Sequence, residues 1–158
     1  MKIIDVNCMY GHWPFRRVPG ESIGEMVSAA ASHRVDVMLI SSLNSVFYRD
    51  SYEGDEELHA VLPQNAFHIM TVDPSVPTFE DDIKNGADLF RLKGVKIYPA
   101  YHGYELKDSC VTRLIDILDE MNLPLILSMQ LEDPRLCHMC PPAAIAGYLV
   151  ESMVQNNK

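Results

Sequence analysis

Five short apolar runs rich in β-branched residues constrain the fold of this chain more than any other feature. They recur about every 30 residues, which is the length of a strand–helix–strand unit. The second run contains Val37-Met38-Leu39-Ile40, without alternation between apolar and polar side chains. Strands that are buried on both faces of a parallel sheet have this pattern. The five predicted strands cover residues 2–7, 35–41, 66–72, 92–98 and 124–129.

The segments between the runs have the spacing of helices that pack on a sheet. The clearest apolar face consists of Val111, Leu114, Ile115, Leu118 and Met121. Another helix is predicted from residue 78, where a Thr-x-x-Asp sequence forms a loose variant of the capping box. Further helices are predicted over residues 21–33 and 55–62, and from about residue 142 onward.

Strand and helix therefore alternate five times, and right-handed crossovers make such a sheet parallel. This order predicts an α/β fold of parallel (β/α) units, as in a TIM-like barrel. A closed barrel takes about 250 residues, whereas this chain has 158 residues. We expect about five of the eight units, in a single domain over residues 1–158 that forms the N-terminal part of a full barrel. A complete doubly wound sheet is the alternative, but no Gly-rich phosphate loop follows the first run.

Composition and charge exclude several classes of protein. The hydrophobic content of 47% is that of a globular chain, and the net charge of −9 argues against a nucleic-acid partner. No apolar run approaches the roughly 18 residues that a membrane-spanning helix needs. The first residues show no basic segment followed by a signal-length apolar core. We therefore expect a cytoplasmic protein with no membrane partner.

The four cysteines are expected to be reduced thiols, because no secretion signal is apparent. Cys137, His138 and Cys140 are spaced like half of a zinc site. A closed structural site needs about four ligands, and the sequence has no second paired cluster. A loop with incidental thiols is the simpler interpretation, and we expect no metal there.

Several patches of the sequence resemble one family. They are Ile4-Asp5-Val6-Asn7, Gly11-His12-Trp13-Pro14-Phe15-Arg16-Arg17, Ser41-Ser42-Leu43, Gly94-Val95-Lys96-Ile97-Tyr98-Pro99 with Tyr101-His102-Gly103-Tyr104, and Leu131-Glu132-Asp133-Pro134-Arg135. Together they resemble the amidohydrolase-related TIM-barrel proteins of the metal-dependent hydrolase superfamily. The fourth-strand patch is the most specific, since it is similar to the Gly-Val-Lys-Leu-x-Pro signature of that superfamily. The resemblance implies a hydrolase acting on a small polar or carboxylate-bearing substrate.

The metal-binding positions of the superfamily are changed in this chain. Its first strand typically reads Asp-x-His-x-His, and here Asn7 and Met9 stand at the two histidine positions. Ser128 stands where the fifth strand usually supplies another histidine. Asn is a weak carbonyl donor and the Met thioether prefers soft metals. The resemblance therefore implies a branch that lacks the usual metal-binding histidines, with a degenerate metal site and no cofactor.

Function in such barrels lies at the carboxyl ends of the strands. Lys96 lies inside an otherwise apolar run, so it either binds a ligand carboxylate inside the barrel or extends past the strand end. His102 can act as an acid or a base, or it can pack between Tyr101 and Tyr104. Asp133 either belongs to the site or forms a loop-stabilising pair with Arg135. The candidate catalytic residues are His102, Lys96 and Asp133, and the candidate ligand-binding residues are Asn7, His12, Tyr98, Arg135 and His138.

The loop after the first strand carries two aromatic rings and two guanidinium groups, in Trp13, Phe15, Arg16 and Arg17. These residues can form a lid over a carboxylate ligand, or they can pack over the barrel mouth or against another subunit.

Two functions remain open at this point. One is a hydrolase that works without the standard metal, with His102 or an acidic residue as the base and Lys or Arg as the charge stabiliser. The other is a non-catalytic barrel relative that binds a small anionic ligand or a protein partner. An open sheet of five units also leaves unpaired edge strands, so we expect a homo-oligomer.

Overall fold

The computed structural model describes residues 1–131 of the chain. In this part, five strands alternate with helices, as the spacing of the apolar runs predicts. The strands are β1 (Ile4–Tyr10), β2 (Val37–Ser42), β3 (Ala66–Thr71), β4 (Leu92–Ile97) and β5 (Leu125–Leu127). The helices are α1 (Ile23–Ser32), α2 (Asn44–Phe47), α3 (Ser51–Val61), α4 (Phe79–Leu89), α5 (Pro99–His102) and α6 (Ser109–Glu120). The helix predicted from about residue 142 lies outside the described residues.

All five strands belong to one sheet in the order β1-β2-β3-β4-β5, and each pairs in parallel with the next. The register aligns Ile4 with Val37 and Val95 with Leu125. The sheet curls into half of a barrel, which confirms the predicted α/β fold with five of eight units. Because the strands are parallel and their connections are helical, their carboxyl ends lie together along one edge.

The convex face of the sheet is covered by helices, and the larger core lies there. In α6, Val111, Leu114 and Leu118 are buried, as their spacing predicts. They pack with Val95 and Ile97 of β4 in one apolar cluster. Side chains alternate along a strand. The residue between Val95 and Ile97, and the residue directly after Ile97, therefore face the concave side.

A second cluster lies on the convex face near the start of the sheet. It contains Met38 and Ile40 of β2 and Leu58 of α3, with Tyr10 of β1 packed against it. These contacts position the ends of β1 and β2 beside each other.

Helix α1 begins with a complete capping box. The Ser22 hydroxyl accepts from the Glu25 amide, and the Glu25 carboxylate accepts from the Ser22 amide. The predicted box at Thr78 is wrong, because its hydroxyl donates to the Asp82 carboxylate at 2.9 Å and makes no capping bond to the backbone. In residues 1–131, no helix is long and apolar enough to cross a membrane.

Candidate functional site

The carboxyl ends of the strands bring a polar set of side chains onto the concave face. Ser41 follows Ile40, and Thr71 lies between two residues of the convex core, so both side chains face the inside of the curl. Lys96 and Tyr98 alternate with Val95 and Ile97 in the same way. The structure thus places side chains from β2, β3 and β4 around one concave surface, as the carboxyl-end argument predicts.

Lys96 is the centre of this surface. Its side chain is only 2% exposed, and its Nζ atom donates to the Asn7 Oδ1 atom of β1 at 2.7 Å. The Nζ atom also lies 5.5 Å from the centre of the Tyr98 ring. Burial lowers the pKa of the Lys96 ammonium, because the charged form loses its hydration. Within residues 1–131, no carboxylate forms an ion pair with it.

Tyr98 lies next to Lys96 on the concave face. It is fully buried, and its hydroxyl has no hydrogen-bond partner of ordinary geometry in the part of the chain that the structure describes. Burial raises the pKa of that hydroxyl, and the nearby Ser41 and Thr71 side chains oppose the rise. The phenol therefore stays protonated at neutral pH and can donate a hydrogen bond to a ligand.

His102 lies behind Tyr98, with the two ring centres 6.1 Å apart. Its Nε2 atom is 3.2 Å from the Val46 carbonyl oxygen, which can only accept, so Nε2 carries a hydrogen. Its Nδ1 atom is the one that titrates, and it faces the Asp73 Oδ2 atom at 4.0 Å. Burial lowers the pKa of His102, while Asp73 and the Val46 carbonyl act in the opposite direction.

The surroundings of His102 have features of both predicted roles, namely packing between aromatic rings and acid–base chemistry. The ring packs between two aromatic rings. One is Tyr104, at 6.3 Å between ring centres, but the other is Tyr98 and not the predicted Tyr101. Its Nδ1 atom nevertheless lies 4.0 Å from a carboxylate oxygen and has no hydrogen-bond partner among the described residues, so it can accept a proton. Asp73 follows the third strand, so the sequence places it at the rim without indicating its partner.

His12 and Asn7 are separated by the structure, although both follow from the first strand. Asn7 reaches Lys96, whereas the His12 side chain is 67% exposed and lies 3.5 Å from Glu21. The His12 backbone amide donates to the Asn44 side chain at 3.3 Å. Of the described candidates, the concave surface therefore brings together Asn7, Lys96 and Tyr98, with His102 directly behind them. Asp133, Arg135 and His138 lie outside the described residues.

The aromatic loop after β1 packs over the mouth of the curl. The Trp13 ring is 6% exposed and contacts Phe15 and Phe47 edge to face, at 5.5 and 5.4 Å between centres. Beneath this loop is a cavity of about 160 Å³ that is lined by Met9, Trp13, Arg16, Val18, Leu43 and Leu131. The aromatic rings thus form packing, while Arg16 is the one guanidinium of the loop that lines the cavity. A small molecule with an apolar body and an anionic group fits this lining.

A buried pair that the sequence analysis missed lies on the convex face. The His68 Nε2 atom donates to the Asp55 Oδ1 atom at 2.7 Å, and neither side chain is exposed. The other Asp55 oxygen accepts from the Thr71 amide at 3.1 Å, and the His68 ring stacks on Phe90. Burial raises the pKa of Asp55. The signal for this pair was a histidine inside an otherwise apolar run, although its partner could not be named from spacing.

The three residues at positions that resemble metal-ligand positions of the amidohydrolase superfamily do not fit a hard divalent ion. The Asn7 amide oxygen accepts from Lys96 Nζ, Met9 lines the cavity beneath the aromatic loop, and the Ser128 backbone amide donates to the Ile97 carbonyl. Two of these side chains are also poor donors for such an ion. Within residues 1–131, no group of three or more His, Cys, Asp and Glu side chains is arranged to hold a metal.

Comparison with known proteins gives similarity in structure only. No family model and no curated protein sequence matches the chain. Several solved structures resemble it, among them the following two. The first is a probable 2-pyrone-4,6-dicarboxylic acid hydrolase from Acinetobacter baumannii with citric acid bound, at a TM-score of 0.60 and 14% identity, over 100% of this chain and 55% of that one. The second is a protein from Agrobacterium tumefaciens in its apo form, at a TM-score of 0.58 and 12% identity, over 80% of this chain and 47% of that one.

The present chain thus spans about half the length of these two structures. At such low identity the likeness establishes the architecture and leaves the chemistry to the residues of this chain. The comparisons support the conclusion of the topology, namely that residues 1–131 form a curled parallel α/β sheet that is part of a barrel.

Proposed function

We propose that the concave surface around Lys96 binds a small carboxylate-bearing molecule, and that the chain belongs to a hydrolase of the amidohydrolase type acting on such a substrate. The observation that carries this proposal is the burial of Lys96 without a carboxylate partner among the described residues. A buried ammonium is costly unless it is paired, and an anionic ligand would supply the missing charge.

The hydrogen-bonding capacity of Lys96 supports the same assignment. An ammonium has three donors, and in the part of the chain described here only Asn7 accepts one of them. A ligand carboxylate can accept one of the two that remain, which leaves one for a second acceptor, and the Tyr98 hydroxyl can add a neutral donor. Arg16 in the mouth cavity offers a second cationic group for a ligand with two acidic ends. The solved structure with citric acid bound has the same architecture, which agrees with an acidic ligand.

In the hydrolytic reaction, water attacks a carbonyl carbon and negative charge develops on the carbonyl oxygen. We assign Lys96 and Tyr98 to the stabilisation of that charge, because both carry hydrogen-bond donors on buried side chains. His102 is assigned as the proton acceptor through Nδ1, and Asp73, whose Oδ2 atom lies 4.0 Å from Nδ1, would stabilise the imidazolium through its charge. Asp133, Arg135 and His138 are proposed to complete the rim.

A non-catalytic binding protein is the second candidate. The observation that favours it is the position of His102, whose side chain is only 8% exposed and whose Nε2 atom is held by the Val46 carbonyl. A histidine fixed in this way can serve to tie α5 to α2. In that case, the same surface would bind an anionic small molecule or a protein partner without turning it over.

Binding of citrate tests the proposed site. We expect citrate to raise the melting temperature of the wild-type chain and to bind in calorimetry, since a ligand that binds only the folded state stabilises it. Lys96→Met should abolish both effects. Lys84→Met is the matched control, because Lys84 is 61% exposed and lies on the helical layer. Equal binding by the two variants would refute the assignment of Lys96.

Turnover separates the two candidate functions. Small lactones and esters that carry a carboxylate are offered to the full chain, and acid release is followed at constant pH. We expect release that is lost in Lys96→Met and reduced in His102→Gln. Citrate binding together with no release from any of these substrates would favour the binding protein.

The single domain over residues 1–158 and the homo-oligomer stay predictions. Strands β1 and β5 each pair with one other strand in the described sheet, so each keeps an unpaired side. Light scattering on the full chain checks whether another copy covers these edges.

A further inference from the structure

Lys96 has surroundings that suit a nucleophilic amine. Among residues 1–131, the groups that contact its Nζ atom are neutral, namely the Asn7 amide and the Tyr98 ring. The Cys8 side chain, which packs against the cluster on the convex face, acts on it only through its charge. Cys8 would hold the ammonium in its charged form only as a thiolate. Burial and the Asp5 side chain raise the pKa of Cys8 to about 12, so the thiol is uncharged at neutral pH.

The hydrogen bond to Asn7 is compatible with an uncharged amine. A neutral amine keeps two N–H groups and one lone pair, so it can donate to Asn7 Oδ1 while the lone pair remains free. A carboxylate at the same position would instead favour the ammonium form. Burial lowers the pKa of Lys96, which increases the uncharged fraction at neutral pH.

We propose that Lys96 forms a covalent imine with the carbonyl carbon of a small aldehyde or ketone that enters the concave surface. The inference rests on the ligand site proposed above, since it uses the same side chain on the concave surface. The lone pair of Nζ forms the C–N bond, both protons of the amine pass to the carbonyl oxygen, and that oxygen leaves as water. The imine nitrogen, once protonated, keeps one N–H that Asn7 Oδ1 can accept. The structure therefore holds the acceptor for both the free amine and the product.

Lys107 provides an internal control for this chemistry. Its Nζ atom lies 2.7 Å from Glu105, its side chain is 68% exposed, and the carboxylate raises the pKa of its ammonium. If access alone decided the rate, Lys107 would react first. If the uncharged fraction decides it, Lys96 reacts first, by about tenfold for each unit by which its pKa is the lower.

The test uses the full chain with acetaldehyde and cyanoborohydride at neutral pH, followed by peptide mass spectrometry. We expect Lys96 to be alkylated at least about tenfold faster than Lys107. Alkylation of Lys96 at or below the rate of Lys107 would overturn the inference. This comparison within one protein needs no variant and is independent of folding defects.

Two variants of Asn7 sharpen the test. Asn7→Asp places a carboxylate beside Nζ and should slow alkylation of Lys96 at least about tenfold, while Lys107 is unchanged. Asn7→Leu, which removes the acceptor without adding charge, should keep Lys96 reactive. Equal rates in the two variants would contradict the role of the neutral surroundings.

Citrate separates the inference from the proposed function. Protection of Lys96 from alkylation by citrate supports both, since the acid would occupy the same pocket and hold the ammonium charged. Fast alkylation that citrate does not slow would support the imine and overturn the proposed carboxylate site. Citrate binding without alkylation of Lys96 would do the reverse.

Discussion

The Nζ atom of Lys96 and the Oδ1 atom of Asn7 lie 2.7 Å apart, although β4 and β1 are separated by two other strands. Neighbouring strands are about 4.8 Å apart, so a flat sheet would place β1 beyond the reach of a lysine on β4. The curl of the sheet brings the two side chains together over its concave face. This one hydrogen bond therefore ties the first unit of the fold to the fourth.

Replacing Asn7 should show how much the burial of the Lys96 amine costs in the free energy of unfolding. We expect Asn7→Ala to lower the free energy of unfolding by about 1–3 kcal/mol, because Lys96 loses the one acceptor that the described residues give it. Lys96→Met should cost less or even stabilise, since it removes the buried polar group itself. Urea unfolding followed by circular dichroism measures both. A larger loss in Lys96→Met than in Asn7→Ala would contradict this account.

The Asp55–His68 pair should be among the most sensitive positions of the fold. Asp55→Ala leaves the His68 ring and the Thr71 amide without their acceptor, and we expect a loss of about 3–5 kcal/mol in the free energy of unfolding. The double variant with His68→Leu should recover part of this loss. Glu80→Gln serves as the control, because its ion pair with Arg113 lies at the surface, and we expect a much smaller change. Urea unfolding of the four proteins gives the comparison.

His102 should make the fold sensitive to acid. Burial places its folded-state pKa below the ordinary value of 6.5, so between the two values the unfolded chain binds more protons than the folded one. Stability therefore rises with pH across this window and is lost as the pH falls below 6.5 towards the folded-state value. His102→Gln keeps an N–H donor for Val46 and should flatten this part of the pH profile of the melting temperature. An unchanged profile would show that other groups cause it.

Two helical glycines should respond in opposite directions to alanine. A Cβ atom at Gly54 would lie 2.5 Å from the Ser45 amide nitrogen and 2.9 Å from the Ser45 Cα atom, so α3 would have to move away from α2. We expect Gly54→Ala to destabilise by about 1–3 kcal/mol. At Gly24 of α1, no described atom lies within 4 Å of such a Cβ atom, and alanine should stabilise by up to about 1 kcal/mol. Thermal unfolding of the two variants tests the packing of α3 on α2, and a shift of the same sign in both would argue against it.

The sequence predicts the elements whose pattern is long and regular. The β4 run and the apolar face of α6 have the period of their structures, and both lie where they were expected. Helices α2 (Asn44–Phe47) and α5 (Pro99–His102) were not predicted, because four residues are too few to show a helical period. Strand β5 is shorter than its apolar run, covering Leu125–Leu127 only.

In the candidate site too, local sequence patterns predict some features, whereas others depend on tertiary packing. Strand polarity places Lys96, Tyr98 and Asn7 at one edge of the sheet, and that much follows from the sequence. The contact between Lys96 and Asn7 depends on the curl of the sheet, which no local pattern encodes. His12 lies on the expected loop but turns to Glu21, since an exposed imidazole gains from a nearby carboxylate and is free to rotate. The Asp55–His68 pair joins α3 to β3 and likewise depends on tertiary packing.

The order of the strands also bears on how the chain reaches its structure. Since every strand pairs with the one before it in the sequence, each new unit finds its neighbour already formed. Such a fold can grow from the amino end one unit at a time, and each step closes a connection of 20–27 residues. A ribosome releases the chain in that same direction. The aromatic loop after β1 and the Asn7 amide would then be in position well before Lys96 is synthesised. The fourth unit would complete the concave surface by packing against residues of the first unit that are already folded.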